Sequence, residues 1–143
     1  MTALIDTSVL VAAIYADEIH HEACSDLLDR AELALYSHGI NETFSTLTGG
    51  RQSIRMSPAT AMSLLENDYL PGLALVTLPP GRQLAALREA ERRGVRGGAV
   101  FDYMHLVAAR HIKASRIYTL NLSHFKAFHR EGDPEIVSPQ SHP

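Results

Sequence analysis

One cysteine in 143 residues is the first constraint on this chain. Cys24 has no partner within the chain, so an intramolecular disulfide and a Cys-rich structural zinc site are both excluded, and a reducing, cytoplasmic setting is expected. Long apolar runs are missing too. No stretch approaches the ~20 residues of a membrane span, and the amino terminus lacks the basic region and cleavage site of a secretory signal. Positive charge is not in excess: 13 Lys and Arg stand against 16 Asp and Glu, a formal net charge of −3. Proteins that simply coat phosphate backbones are normally basic overall. That class is disfavoured, whereas an enzyme whose acids gather around metal ions stays open. There is no Gly-x-x-x-x-Gly-Lys phosphate loop, no repeat and no low-complexity segment.

What remains is enough for one globular domain. At 45% hydrophobic residues, a chain of this length buries most of its apolar surface without staples. Ala3-Leu4-Ile5 reads as a short buried strand, and Val9-Leu10-Val11 opens a helix. Further strands are expected at 33–36, 73–78, 116–120 and 135–137. Between them the spacing predicts helices over about 18–31, from Asn41 to Gly49-Gly50 after a turn at Ser37-His38-Gly39, from Ser57-Pro58 to about Tyr69, and over 84–91. A loop from Arg92 to Gly98 then leads to a helix over 99–114 with Val100, Met104, Val107, Ala108, His111 and Ile112 on a single stripe. Ser57 as N-cap with Pro58 in the first turn is the clearest start signal. Alternating strands and helices imply an α/β fold with a central, mostly parallel sheet flanked by helices on both faces. The domain is expected to span 1–138, followed by a flexible tail at 139–143.

In such a sheet ligands gather outside the strand carboxyl ends. Three acids fall at strand ends or early in helices: Asp6 after the first strand, Glu42 in the helix after the second, and Asp102 near the start of the helix at 99. Each has an apolar neighbour (Ile5, Phe44, Phe101). A carboxylate near a core needs a cation or hydrogen bonds, and hard oxygen ligands suit Mg²⁺ or Mn²⁺ rather than zinc. Taken singly, Glu42 and Asp102 are better explained as caps or partners of the helix dipole, and Asp6 is explained as well by capping as by anything else.

Four segments in order tie these acids together. Asp6-Thr7-Ser8-Val9-Leu10 closes the first strand. Asn41-Glu42-Thr43-Phe44 follows, then Phe101-Asp102-Tyr103-Met104-His105-Leu106-Val107-Ala108-Ala109, and finally Thr119-Leu120-Asn121-Leu122-Ser123-His124-Phe125. Together they resemble the PIN-domain nucleases over about residues 3–137, in a layout most similar to the VapC-type toxins of bacterial toxin–antitoxin pairs.

The resemblance implies a three-layer PIN-like domain and a Mg²⁺- or Mn²⁺-dependent endoribonuclease. Asp6, Glu42, Asp102 and Asn121 would be its catalytic set and Asp6, Asp102 and Glu42 its metal ligands, supported by Thr7, Ser8 and Thr119. It further implies an RNA substrate, a homodimer and a VapB-type antitoxin. Two positions depart from the family pattern. Asn121 stands where many members carry a fourth acid, and His124 where a second Asp is frequent, which favours one metal site over two.

Arg92, Arg93 and Arg96, among glycines just ahead of Asp102, are candidates for RNA phosphates or, equally, a solvated helix end. Arg51 and Arg55 are weaker candidates of the same kind. Adjacent His20 and His21 point to different helix faces and make a poor chelate. His105 shares a face with Asp102, and a structural role is the better reading. Two rival functions remain: a catalytically weak PIN domain that binds RNA or protein, and an Asp-based phosphatase of the haloacid dehalogenase kind. The latter needs a second Asp two residues after the first, where this chain has Ser8.

Overall fold

The computed structural model describes residues 2–50 and 54–141. Five strands, β1 (Ala3–Ile5), β2 (Leu33–Tyr36), β3 (Leu73–Val76), β4 (Arg116–Tyr118) and β5 (Glu135–Val137), form one sheet in the order β3-β2-β1-β4-β5. Every neighbouring pair is parallel. Strands β1 and β2 are buried along their whole length, which explains why they read as unbroken apolar runs. Side chains still alternate: Ala3, Ile5, Leu33 and Leu35 enter one core, while Leu4, Ala34 and Tyr36 enter the other.

The first core is closed by α1 (Thr7–Ile14), α2 (His21–Arg30), α3 (His38–Gly49) and α4 (Pro58–Leu64). The second is closed by α5 (Pro80–Arg88), α6 (Ala90–Arg93), α7 (Ala99–His111) and α8 (Leu122–Phe128). The chain runs outward from β1 through β2 to β3, then returns to place β4 on the opposite side of β1. The reversal between β1 and β4 is the switch point at which open α/β sheets leave a crevice.

Several local expectations hold. Ser57 caps α4, its Oγ accepting from the Thr60 amide. The helix continues through a π turn at Leu65–Tyr69 and a 3₁₀ turn at Leu70–Gly72. Gly50 follows the last residue of α3. His20 and His21 go to separate partners, Gln140 and the Ala12 carbonyl.

Other expectations are corrected. Helix α3 starts at His38 rather than after Asn41, so Glu42 sits beyond its first turn. Gly39 looked like a turn residue but is helical. A Cβ there would lie 2.7 Å from Leu35 Cδ1 and 3.3 Å from His105 Cε1, so close packing accounts for the glycine. Helix α7 is not a one-sided stripe, because Tyr103 through Ala109 are all buried. Arg92 and Arg93 end helix α6 rather than lying in a loop. The helix over Leu122–Phe128 was not anticipated. Its core contacts are only Phe125 and Phe128, one turn apart. Pro139–Ser141 form a 3₁₀ turn, with Pro139 buried and Gln140 bonded to His20. Arg51 lies outside the described residues.

Candidate active site

Asp6 follows β1 at the switch point. Its amide donates to the Tyr118 carbonyl of β4 at 3.1 Å, which fixes the strand end beside its neighbour. The side chain is 1% exposed. It caps α1, Oδ1 accepting from the Val9 amide at 3.2 Å, so the capping and functional explanations describe the same atoms. Ser8 donates to Oδ1 and Thr119 to Oδ2, both at 2.6 Å. Each hydroxyl also accepts a backbone amide from beyond β4: Leu120 to Ser8 at 3.1 Å and Asn121 to Thr119 at 2.9 Å. Two hydroxyls thus lace the carboxylate to the segment that carries Asn121. Burial pushes the Asp6 carboxyl above its ordinary value, outweighing the opposing pull of His105, the two hydroxyls and the Val9 amide.

Above this floor lies an open cleft of about 360 Å³, lined by Thr7, Ser8, Glu42, Asp102 and Asn121. The sequence-derived residues converge here, Asp6 and Thr119 lying behind Ser8 rather than on the wall. Glu42 Oε1 accepts from His105 Nε2 at 2.9 Å, and Thr7 Oγ1 is 3.4 Å from the same nitrogen. Because a carboxylate only accepts, Nε2 carries the proton. The other ring nitrogen, Nδ1, is buried without a partner. Asp102 Oδ2 lies 3.4 Å from His124 Nδ1.

Sequence reasoning missed three features. Glu18 and Thr46 also line the cleft. Glu18 lies in the connection after α1, ahead of a helix that starts at His21 rather than at 18. The pairing of His105 with Glu42 had one available signal, the spacing of three residues from Asp102.

The arginines separate. Arg93 is buried and paired with Asp133, and it also donates to the Phe128 carbonyl at 3.2 Å. It holds the fold together and faces no solvent phosphate. Arg92, exposed beside Glu89 at 3.9 Å, and Arg96, exposed, remain open to a ligand. Arg55 bonds the Gly50 carbonyl at 3.2 Å.

Beside the apolar Val11, Ala12 and Leu120, the polar side chains of the cleft present oxygen, with the Asn121 amide nitrogen as the exception, the chemistry of Mg²⁺ or Mn²⁺ rather than of softer metals. Among the described residues no three His, Cys, Asp or Glu side chains are drawn together closely enough to form a ready cation cage. The donors therefore fit a divalent ion by type, with hydroxyl and amide oxygens needed to complete the set.

A family model for the PIN domain matches residues 3–129 of this sequence. The chain belongs to the PIN-domain family. It is 29% identical over 110 residues to Ribonuclease VapC27 of Mycobacterium tuberculosis, covering 77% of this chain and 78% of that protein. Among solved structures it resembles the sarcin-ricin loop cleaving toxin VapC20 of M. tuberculosis, with a TM-score of 0.69, 16% identity, and coverage of 92% of this chain and 99% of that one. A DNA-bound VapBC complex from Salmonella typhimurium gives a TM-score of 0.66 at 16% identity, covering 97% of this chain and 98% of that one. These structural likenesses establish the fold: a five-stranded parallel sheet between two helical layers, as this PIN domain has. No helix among the described residues is long and apolar enough to cross a membrane.

Proposed function

We propose that this PIN domain is a divalent-metal-dependent endoribonuclease and the toxin of a VapBC-type toxin–antitoxin pair. The observation that carries the reading is the convergence of Asp6, Glu42, Asp102 and Asn121 at one switch-point cleft. The names of its relatives, a ribonuclease and members of VapBC complexes, support it.

Asp6, Asp102 and Glu42 would hold a Mg²⁺ or Mn²⁺ ion. When bound, such an ion polarises the scissile phosphodiester and makes an attacking water more acidic. The chain's own residues prepare the place for it. Ser8 and Thr119 hydroxyls can rotate their protons away from Asp6 and offer lone pairs instead. His105 holds Glu42 by one oxygen, and Glu42 Oε2 has no partner among the described residues. Asn121 offers a carbonyl oxygen and an amide but adds no negative charge, so the site carries fewer charges than a four-acid set. Cys24 plays no nucleophilic part, since it is fully buried and burial pushes its thiol up to about 11.

The neutral Asn121 also favours a second reading, a catalytically weak domain that acts by binding RNA or a protein. Purified protein incubated with RNA and Mg²⁺ or Mn²⁺ decides between them. The enzyme reading expects cleavage that excess EDTA abolishes. No cleavage by wild type, with RNA bound equally by Asp102→Asn, would establish the binding module.

A cognate antitoxin would cover the cleft, an arginine pairing with its carboxylates through charge-assisted hydrogen bonds. The toxin itself is proposed to be a homodimer acting in the cytoplasm. Sedimentation of the purified chain alone and with the product of a neighbouring short reading frame checks both assemblies.

A further inference from the structure

A second cavity, of about 470 Å³, opens on the other side of Asp102. Helices α7 and α8 form its walls. Its surface is mainly apolar, with Phe128 and Ala99 contributing, and Ser123 and His124 supply polar groups. Asp102 belongs to both cavities, so they meet at the acid that the ribonuclease reading places at the reacting phosphate. Gly98 forms part of the wall, and a Cβ added there meets nothing within 4 Å. In the turn leading to it, Arg96 is exposed and has no ion-pair partner among the described residues.

We propose that this cavity receives one unpaired base of an RNA strand, the base adjoining the phosphate held at Asp102. The inference rests on the ribonuclease reading. A flat heteroaromatic ring matches an apolar slot with hydrogen-bonding groups at its rim, since single-stranded RNA is recognised by stacking and by contacts to unstacked base edges. Ser123 can donate or accept at such an edge, and His124 does the same through its ring nitrogens. Arg96 is placed to meet the backbone of the same strand, a contact that adds affinity without reading sequence. A basic peptide side chain would find no matching charge among the apolar walls and would have only Asp102 to pair with.

The test is run in EDTA, so that no strand is cut. Isotope-labelled protein is titrated with tetraribonucleotides of each base and with an abasic ribose-phosphate tetramer. The expected result is movement of the Gly98, Ser123 and Ala127 amides with at least one base-bearing tetramer, bound about tenfold or more tighter than the abasic one. Gly98→Leu, which adds a branched side chain at the wall of the slot, should erase that preference and leave abasic binding unchanged. Gly98→Ala is the milder variant if the larger side chain lowers the melting temperature. Equal binding of abasic and base-bearing tetramers, or unmoved pocket amides, would overturn the inference. So would a Gly98→Leu protein that keeps its base preference but no longer holds its antitoxin, which would assign the slot to a peptide. Failure of wild type to cut RNA with Mg²⁺ or Mn²⁺ is a separate outcome that removes the enzyme reading, while the tetramer titration still decides whether the slot takes a base.

Discussion

Two buried aspartates at opposite edges of one sheet are treated in opposite ways. Asp6 follows β1 and Asp133 precedes β5, so in a parallel sheet they face opposite edges. Both are nearly inaccessible: Asp6 is 1% exposed, and the Asp133 side chain 4%. Asp133 is surrounded by cations. Arg93 pairs with it, Arg110 Nε lies 3.5 Å away and the Arg130 amide donates at 2.9 Å. Burial alone would raise its carboxyl, but the Arg93 hydrogen bond, the Arg130 amide and the charges of Arg93 and Arg110 together hold it below the ordinary value. Asp6 has hydroxyls, one amide and a histidine at a distance, and stays raised. One edge spends its cations on folding. The other leaves its negative charge unanswered, and an unanswered buried charge is where a metal ion has the most to contribute.

The comparison can be broken by exchanging the two residues' roles in experiment. The largest effect is expected from Asp6→Asn and Asp102→Asn, which should each lower RNA cleavage by about a hundredfold or more, the scale of losing a charge-stabilising group. Melting temperatures should stay near that of wild type, read by calorimetry on the same samples. A large drop in stability for Asp6→Asn would show that this edge too is built for folding.

Arg93→Ala is the mirror image. Leaving Asp133 buried and unpaired should cost about 3 kcal/mol or more in urea unfolding, with cleavage per folded molecule unchanged. A variant as stable as wild type would end the contrast.

Between these lies His105→Asn. Removing the group that holds Glu42 should lower cleavage on the order of tenfold, the usual scale for a residue that orients a ligand. RNA affinity in EDTA should not change, and a loss of affinity would place His105 in the binding surface instead.

The smallest effect is a difference of slope with pH. Asp133, with its lowered folded value, contributes stability that is present above the ordinary carboxylate range near 3.8 and disappears as pH falls through the folded value. Asp6 works in the opposite sense. Because its folded value is raised, acid loads the proton onto the folded chain first, and stability rises as pH falls toward 3.8. Asp133→Asn should therefore flatten the acid loss, and Asp6→Asn should remove the rise that precedes it. Melting curves between pH 3 and 7 check both signs.

Much of this was legible before any coordinates. Strands β1 and β2 were readable because their residues are apolar without alternation, as strands covered on both faces demand, and the parallel pairing followed from the helices between the strands. Asp6, Glu42 and Asp102 could be grouped because each follows a strand end or opens a helix. The failures share a physical cause. Gly39 was misread because its lack of a side chain serves a contact with Leu35 and His105, residues that only the fold brings near. Arg93 sat among exposed-looking arginines, yet its partner Asp133 is 40 positions away. Glu18, read as the start of a helix, instead reaches the cleft from the connection that precedes it. In each case the deciding partner lies far along the chain, and spacing carries no record of it.

The lacing of Asp6 to Thr119 spans 113 positions of sequence. During synthesis the first strand leaves the ribosome long before the segment that completes its carboxylate's surroundings. A nascent chain that lacks Thr119 cannot complete the hydrogen bonds of that carboxylate, so the floor of the cleft closes only when nearly all of the chain has been made.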